Sequence, residues 1–86
     1  MITTDQVLKS IHIVSLSMSH GDDREEMLRH SEEIKSLIKE INPENDDERF
    51  FVFLLHKTSE SIDEQNYGFL IQIWLAIEEA FKTLCR

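Results

Sequence analysis

Residues 22–41 read DDREEMLRHSEEIKSLIKEI, and their spacing decides the fold class. Met27, His30, Ile34, Leu37 and Ile41 recur at intervals of three, four, three and four, which places them on one stripe of an α-helix. Asp22, Asp23, Glu25 and Glu26 open the segment and Lys35 and Lys39 lie toward its end, the order of charge that a helix dipole favours. Leu28 and Ile38 flank the stripe. Asn42-Pro43 ends the helix, because proline lacks an N–H and disfavours helical backbone in the residue before it. The segment is too short for an extended coiled coil and reads as a bundle helix.

Upstream, a helix is expected from about Thr4 to His20. Thr3 and Gln6 have capping-box spacing, Asp5 lies in the first turn and Gly21 supplies a stop. Val7, Ile11, Val14 and Met18 form its apolar stripe, bordered by Leu8, although the β-branched and serine-rich run Ile11–Met18 can also be read as a strand. Downstream, Glu44–Glu48 is an acidic connector in which Asp46 or Asp47 can cap a third helix beginning near Arg49. Phe50 to Leu55 is apolar without a break. A break is expected between Thr58 and Ser61, where Ser61 and Glu64 repeat the capping-box spacing. The last helix, about Ile62 to Leu84, carries Leu70, Trp74, Ile77, Phe81 and Leu84 as its stripe, with Phe69, Ile71, Ile73 and Leu75 outside it.

Two glycines and one proline in 86 residues are too few turn residues for a multi-hairpin β fold. The expectation is therefore all-α: a small bundle of three to four antiparallel helices forming one domain over residues 1–86. A helix that is apolar all round must be covered all round, and three other short helices cannot cover both Phe50–Leu55 and Phe69–Ile77. Self-association is the economical answer, as a homodimer using Phe50, Phe53, Phe69, Ile73 and Trp74. The alternative is a monomer with an aromatic core.

The 17 acidic and 9 basic side chains leave a net charge of −8, and residues 22–48 hold 11 of the acids against 4 bases. Such a surface repels phosphate, which argues against binding a nucleic-acid backbone. It suits a basic protein partner, docked through Asp22, Glu25, Glu26, Glu32, Glu33, Glu44, Asp46 and Asp47, or it serves solubility alone. The longest nearly apolar run, Phe69–Ile77, is under half of the roughly 20 residues that span a bilayer. No membrane partner is expected. Asp5 and Lys9 interrupt the first ten residues where a secretory leader would be apolar, and a single cysteine, Cys85, closes no intramolecular disulfide; both favour the cytoplasm.

No catalytic constellation is evident. The serines lack a glycine-flanked elbow, Cys85 lies beside the last residue, and Glu78 and Glu79 point about 100° apart on a helix. His12, His20, His30 and His56 show no HxxxH spacing, so no metal or other cofactor is expected. His20 with Asp22 and Asp23 offers at most weak metal binding, and it fits better against the last carbonyls of the first helix. His30, four residues after Glu26, reads as a hydrogen-bonded histidine at the edge of the core. Tyr67 beside Gly68 is a plausible exposed contact.

The order of an acidic amphipathic helix, Phe50–Leu55, a polar interval through Asp63 and a final helix is similar in pattern to small enterobacterial connector proteins of the AriR/YmgB type, over the last two-thirds of the chain. The glycine and basic positions expected between the helices of that type are absent, so no residue role follows from the likeness. Small acidic helical immunity or inhibitor proteins are similar at the same coarse level. The function expected from the residues is a non-enzymatic binding or regulatory module. The alternatives are an inhibitor that occludes a partner's active or nucleic-acid site, and a structural subunit of an assembly.

Overall fold

The computed structural model describes residues 1–84; Cys85, and with it the expectation for its thiol, lies outside the described residues. Four helices follow one another, α1 (Thr4–Ser19), α2 (Arg24–Glu40), α3 (Asp46–Asp63) and α4 (Tyr67–Leu84), and the described residues include no strand. The run Ile11–Met18 is thus helical. Its start is the expected capping box: Thr3 Oγ1 accepts the Gln6 N–H at 3.1 Å and Gln6 Oε1 accepts the Thr3 N–H at 3.0 Å.

Contacts between helix ends set an up-down-up-down order. Gln6 Nε2 donates to the Glu40 carbonyl at 3.3 Å, bringing the start of α1 to the end of α2. Arg24 donates to the Ile62 and Asp63 carbonyls, bringing the start of α2 to the end of α3. Asp47 and Phe50 share a hollow with Ala80 and Thr83, so α3 and α4 are antiparallel as well. α4 also packs against α1, which closes the ring.

α2 presents the face its spacing implies: Met27, His30, Ile34, Leu37 and Ile41 are all buried. On α1 the outcome differs. Val7 and Val14 are buried, but with Ser10 and Ser17 rather than Ile11 and Met18; Ile11 is partly buried and Met18 exposed. The two serine hydroxyls donate to the carbonyls four residues back, Gln6 and Ile13, at 2.7 and 2.9 Å. Each is satisfied within its own helix and, being small, can sit at a packed face where a long side chain cannot.

The expected break at Thr58–Ser61 does not occur. Thr58, Ser59, Ser61 and Ile62 are all buried within α3, with Thr58 Oγ1 bonded to the Leu54 carbonyl at 2.8 Å and Ser59 Oγ to that of His56 at 3.1 Å. Hydroxyls that return to their own helix let polar residues continue it, so the Ser61–Glu64 spacing caps nothing. The helix also starts earlier than Arg49, because Asn45 is its cap: Asn45 Oδ1 accepts the Glu48 N–H at 2.9 Å, leaving Asp46 and Asp47 in the first turn.

Chain reversal occurs instead at residues 64–66. Gln65 has φ 60°, the Gln65 N–H bonds to the Ile62 carbonyl at 3.1 Å, and the Asn66 N–H reaches back to Ser61 at 2.8 Å. This is a Schellman closure with a non-glycine residue in the left-handed position. Asn66 Oδ1 then accepts the Phe69 N–H at 3.3 Å to start α4. At the other reversal Gly21 needs no left-handed backbone, since no glycine has positive φ and His20 itself ends α1. On α4 the buried residues are Leu70, Ile73, Ile77 and Ala80, with Trp74, Phe81 and Leu84 only partly covered, so the helix is rotated from the expected stripe.

Gln65→Gly removes the steric cost of left-handed backbone and is expected to raise stability by about 0.5–1 kcal/mol, a few degrees in the thermal midpoint of a chain this size. A melt in which Gln65→Gly is less stable than the parent rejects this account of the α3–α4 turn.

Candidate functional surface

The acidic residues do not form one unbroken face. α2 spans about 25 Å at 1.5 Å per residue. Asp22, Glu25 and Glu26 therefore sit at one end of the bundle and Glu40, Glu44, Asp46 and Asp47 at the other, with Glu32 and Glu33 along the helix between them. Several carboxylates already have partners. Glu26 holds Arg29 at 2.6 Å, Glu32 faces Lys35 at 3.4 Å, Asp46 holds Arg49 at 2.9 Å, and Glu44 accepts from the Met1 amine at 2.8 Å. Asp22, Glu25, Glu33, Glu40 and Asp47 are exposed and have no counter-ion among the described residues.

The connector is held rather than loose. Glu48 is 6% exposed; its Oε1 accepts the N–H groups of Glu44 at 3.0 Å and Ile2 at 3.2 Å, and Asn45 Nδ2 donates to Oε2 at 3.4 Å. The Glu44 N–H, then that of Ile2, the chain's amino group and Asn45 favour the carboxylate and outweigh burial, so its pKa lies below the ordinary 4.5. At the opposite end, Asp63 receives Lys35 Nζ at 2.8 Å and Ser31 Oγ at 2.7 Å. Burial opposes ionisation of Asp63, but hydrogen bonds from Lys35 and Ser31 and the charges of Lys35 and Arg24 hold its pKa below 3.8. The same bond to Asp63 raises Lys35 above 10.5.

Among the residues expected at a self-interface, Phe50, Phe53 and Phe69 are 51%, 49% and 41% exposed, whereas Ile73 is buried in the chain's own core and Trp74 is partly covered. Phe50 and Phe53 stack on each other with centroids 6.3 Å apart, and Lys57 Nζ lies 5.6 Å from the Phe53 ring. Phe50 also lines a hollow of about 170 Å³ with Asp47, Glu79, Ala80 and Thr83. Phe69 lies on the same side of α4 as Ala76 and Thr83 by seven-residue spacing, so Phe50 and Phe69 border the α3–α4 seam, and Phe53 extends it through its stack on Phe50. Ile71 and Leu75, 55% and 60% exposed, lie on another side of α4. Tyr67 is partly buried, and its hydroxyl accepts from Arg24 at 3.1 Å.

A second hollow of about 370 Å³ lies between α2 and α3, lined by Glu32, Lys35, Ser36, Ile38, Lys39, His56 and Ser59. Sequence reasoning missed one cluster, His20 with Glu26 and His30, which the α1–α2 turn assembles. The four-residue step from Glu26 to His30 was its only signal in the sequence. No helix among the described residues is long and apolar enough to cross a membrane. Comparison of the chain with protein-family models, curated proteins and solved structures finds no match.

Depressed carboxylate pKa values stabilise the fold above the ordinary carboxylate pKa, and that contribution is lost as pH falls through the folded-state values. The thermal midpoint is therefore expected to fall as pH drops below about 4.5. In Glu48→Gln, which keeps an acceptor oxygen but does not titrate, that acid limb becomes shallower. An identical limb in the variant excludes Glu48 as a source.

Proposed function

We propose that this protein is a non-enzymatic binding or regulatory module that docks a basic partner protein through the outward face of α2 and the connector that follows. The observation that carries the reading is the set of exposed carboxylates without counter-ions: Glu25, Glu33 and Glu40 on α2, whose opposite face is buried, with Asp22 just before that helix and Asp47 in the first turn of α3. Uncompensated like charges raise the electrostatic self-energy of the surface, and a cationic partner relieves it and is steered toward it. Glu32 and Asp46, already paired, contribute less to such docking than Glu25 and Glu33. Occlusion of a partner's active or nucleic-acid site is one way in which such docking would regulate.

Affinity capture from native lysate at low salt is expected to recover a basic protein whose association weakens steeply toward physiological ionic strength. Glu25→Lys with Glu33→Lys, in a chain whose circular dichroism is unchanged, abolishes that recovery. Undiminished recovery by the charge-reversed chain rejects the placement.

A second reading, self-association through the α3–α4 seam, is favoured by the half-exposed Phe50 beside Ala80 and the Phe53 stacked on it, apolar area that leaves water only when covered. Sedimentation at tens of micromolar is expected to show a dimer that Phe50→Glu with Phe53→Glu converts to monomer. A parent chain that sediments as monomer removes this reading and leaves the docking face untouched.

A further inference from the structure

His20 and His30 bring two imidazole nitrogens together where α1 turns into α2. His20 is the C-cap of α1, and its ring meets that of His30 edge to edge, with centroids 5.5 Å apart and 17° between the planes. His20 Nδ1 lies 3.3 Å from His30 Nε2, a hydrogen bond whose shared proton an ion would displace, and His30 is only 5% exposed. Glu26, one turn before His30, places Oε2 3.9 Å from the same Nε2, while its other oxygen holds Arg29 at 2.6 Å. One ligand atom from each of the three residues lies within 4.8 Å of the others.

Two nitrogens bound to a tetrahedral zinc ion at 2.0–2.1 Å stand about 3.4 Å apart, close to the separation present here. The Glu26 carboxylate, 3.9 Å from His30 Nε2 and within 4.8 Å of the His20 nitrogen, needs to close by about half an ångström on the first and by up to about 1.4 Å on the second to complete that triangle, a movement its own side-chain torsions supply. Two imidazoles and a carboxylate are the donor set of open zinc sites, which leave a fourth position for water. Magnesium and calcium prefer oxygen throughout and are poorly served by it. The surrounding acidic block draws cations of either kind toward the site.

We propose that His20, Glu26 and His30 form a three-ligand site for a divalent transition ion of the zinc class, tying the end of α1 to the start of α2. Arg29 occupies the second oxygen of Glu26 and so keeps the first aimed at the histidines. His30 Nδ1 is buried without a hydrogen-bond partner. Ligating histidines usually donate that N–H, and such outer bonds are worth about 10–100-fold in affinity, so binding is expected on the order of micromolar rather than nanomolar. The proposal rests on this cluster alone and is independent of any partner.

The test uses the full chain, stripped with chelator and titrated with zinc alone. One ion per chain is expected by calorimetry, with a thermal midpoint raised by several degrees at an excess of about a hundredfold over the dissociation constant. His20→Ala and Glu26→Gln, both at partly exposed positions, each weaken zinc at least about tenfold, while His12→Ala and His56→Ala leave it unchanged. Cobalt in place of zinc is expected to show the visible absorption of a four-coordinate ion. Equal stabilisation by magnesium, zinc binding unaltered in His20→Ala and Glu26→Gln, half an ion per chain, or no binding would each overturn the assignment.

Discussion

Burial of the inner face of α3 between α2 and α4 is the constraint on which the rest of the molecule depends. Phe51, Leu54, Leu55, Thr58 and Ile62 are all at or below 5% exposure, on a helix that also buries Glu48, Ser59 and Ser61. That face turns about 160° of the helix inward, so it needs neighbours on two sides. Both neighbours are supplied within the chain, α2 before it and α4 after it. α1 then closes the gap between those two. The apolar surface that remains on these two helices faces out, Phe50 and Phe53 on α3 and Phe69, Ile71 and Leu75 on α4, and Leu8 and Met18 on α1 and Leu28 on α2 are exposed as well.

Apart from His30 Nδ1, the side-chain polar groups carried inward among the described residues are matched to partners, and this is how so charged a chain closes. Glu48 gathers the N–H groups of Ile2 and Glu44, so the acidic connector and the chain's first residues are joined by one carboxylate. Arg24 does the equivalent work at the other end, donating to the last carbonyls of α3 and to Tyr67 at the start of α4. A guanidinium there also offsets the negative end of the α3 dipole. Ser31 and Lys35 converge on Asp63 beside it. Each end of the bundle thus has an ionic lock, and the surface carboxylates outside these locks are those left to interact with something else.

The parts of the fold legible in the sequence were those where chemistry and periodicity agreed. The α2 stripe and the Thr3–Gln6 cap were read correctly because one face of α2 is strongly polar and the other apolar, and because a capping box is a local reciprocal hydrogen-bond pair. The α3–α4 boundary was misplaced because serine and threonine are ambiguous: the same hydroxyls that cap a helix can satisfy themselves inside one. The rotation of α4 was illegible for a different reason. An apolar residue stands on nearly every side of that helix, so periodicity leaves its inward face open.

The candidate surfaces divide along the same line. Composition and charge position determined by themselves that the chain is helical and that its acids cluster over residues 22–48, because both are properties of neighbouring residues. Only the tertiary structure decided which carboxylates are paired and which are not, that the acids opening α2 and those of the connector lie at opposite ends of a helix, and that Ile73 is core while Phe50 and Phe53 are surface. It alone brought His20 to His30, ten residues away in the chain. Pairing, burial and ligand geometry depend on which elements lie side by side, and that is set by the packing of α3 rather than by any local run of residues.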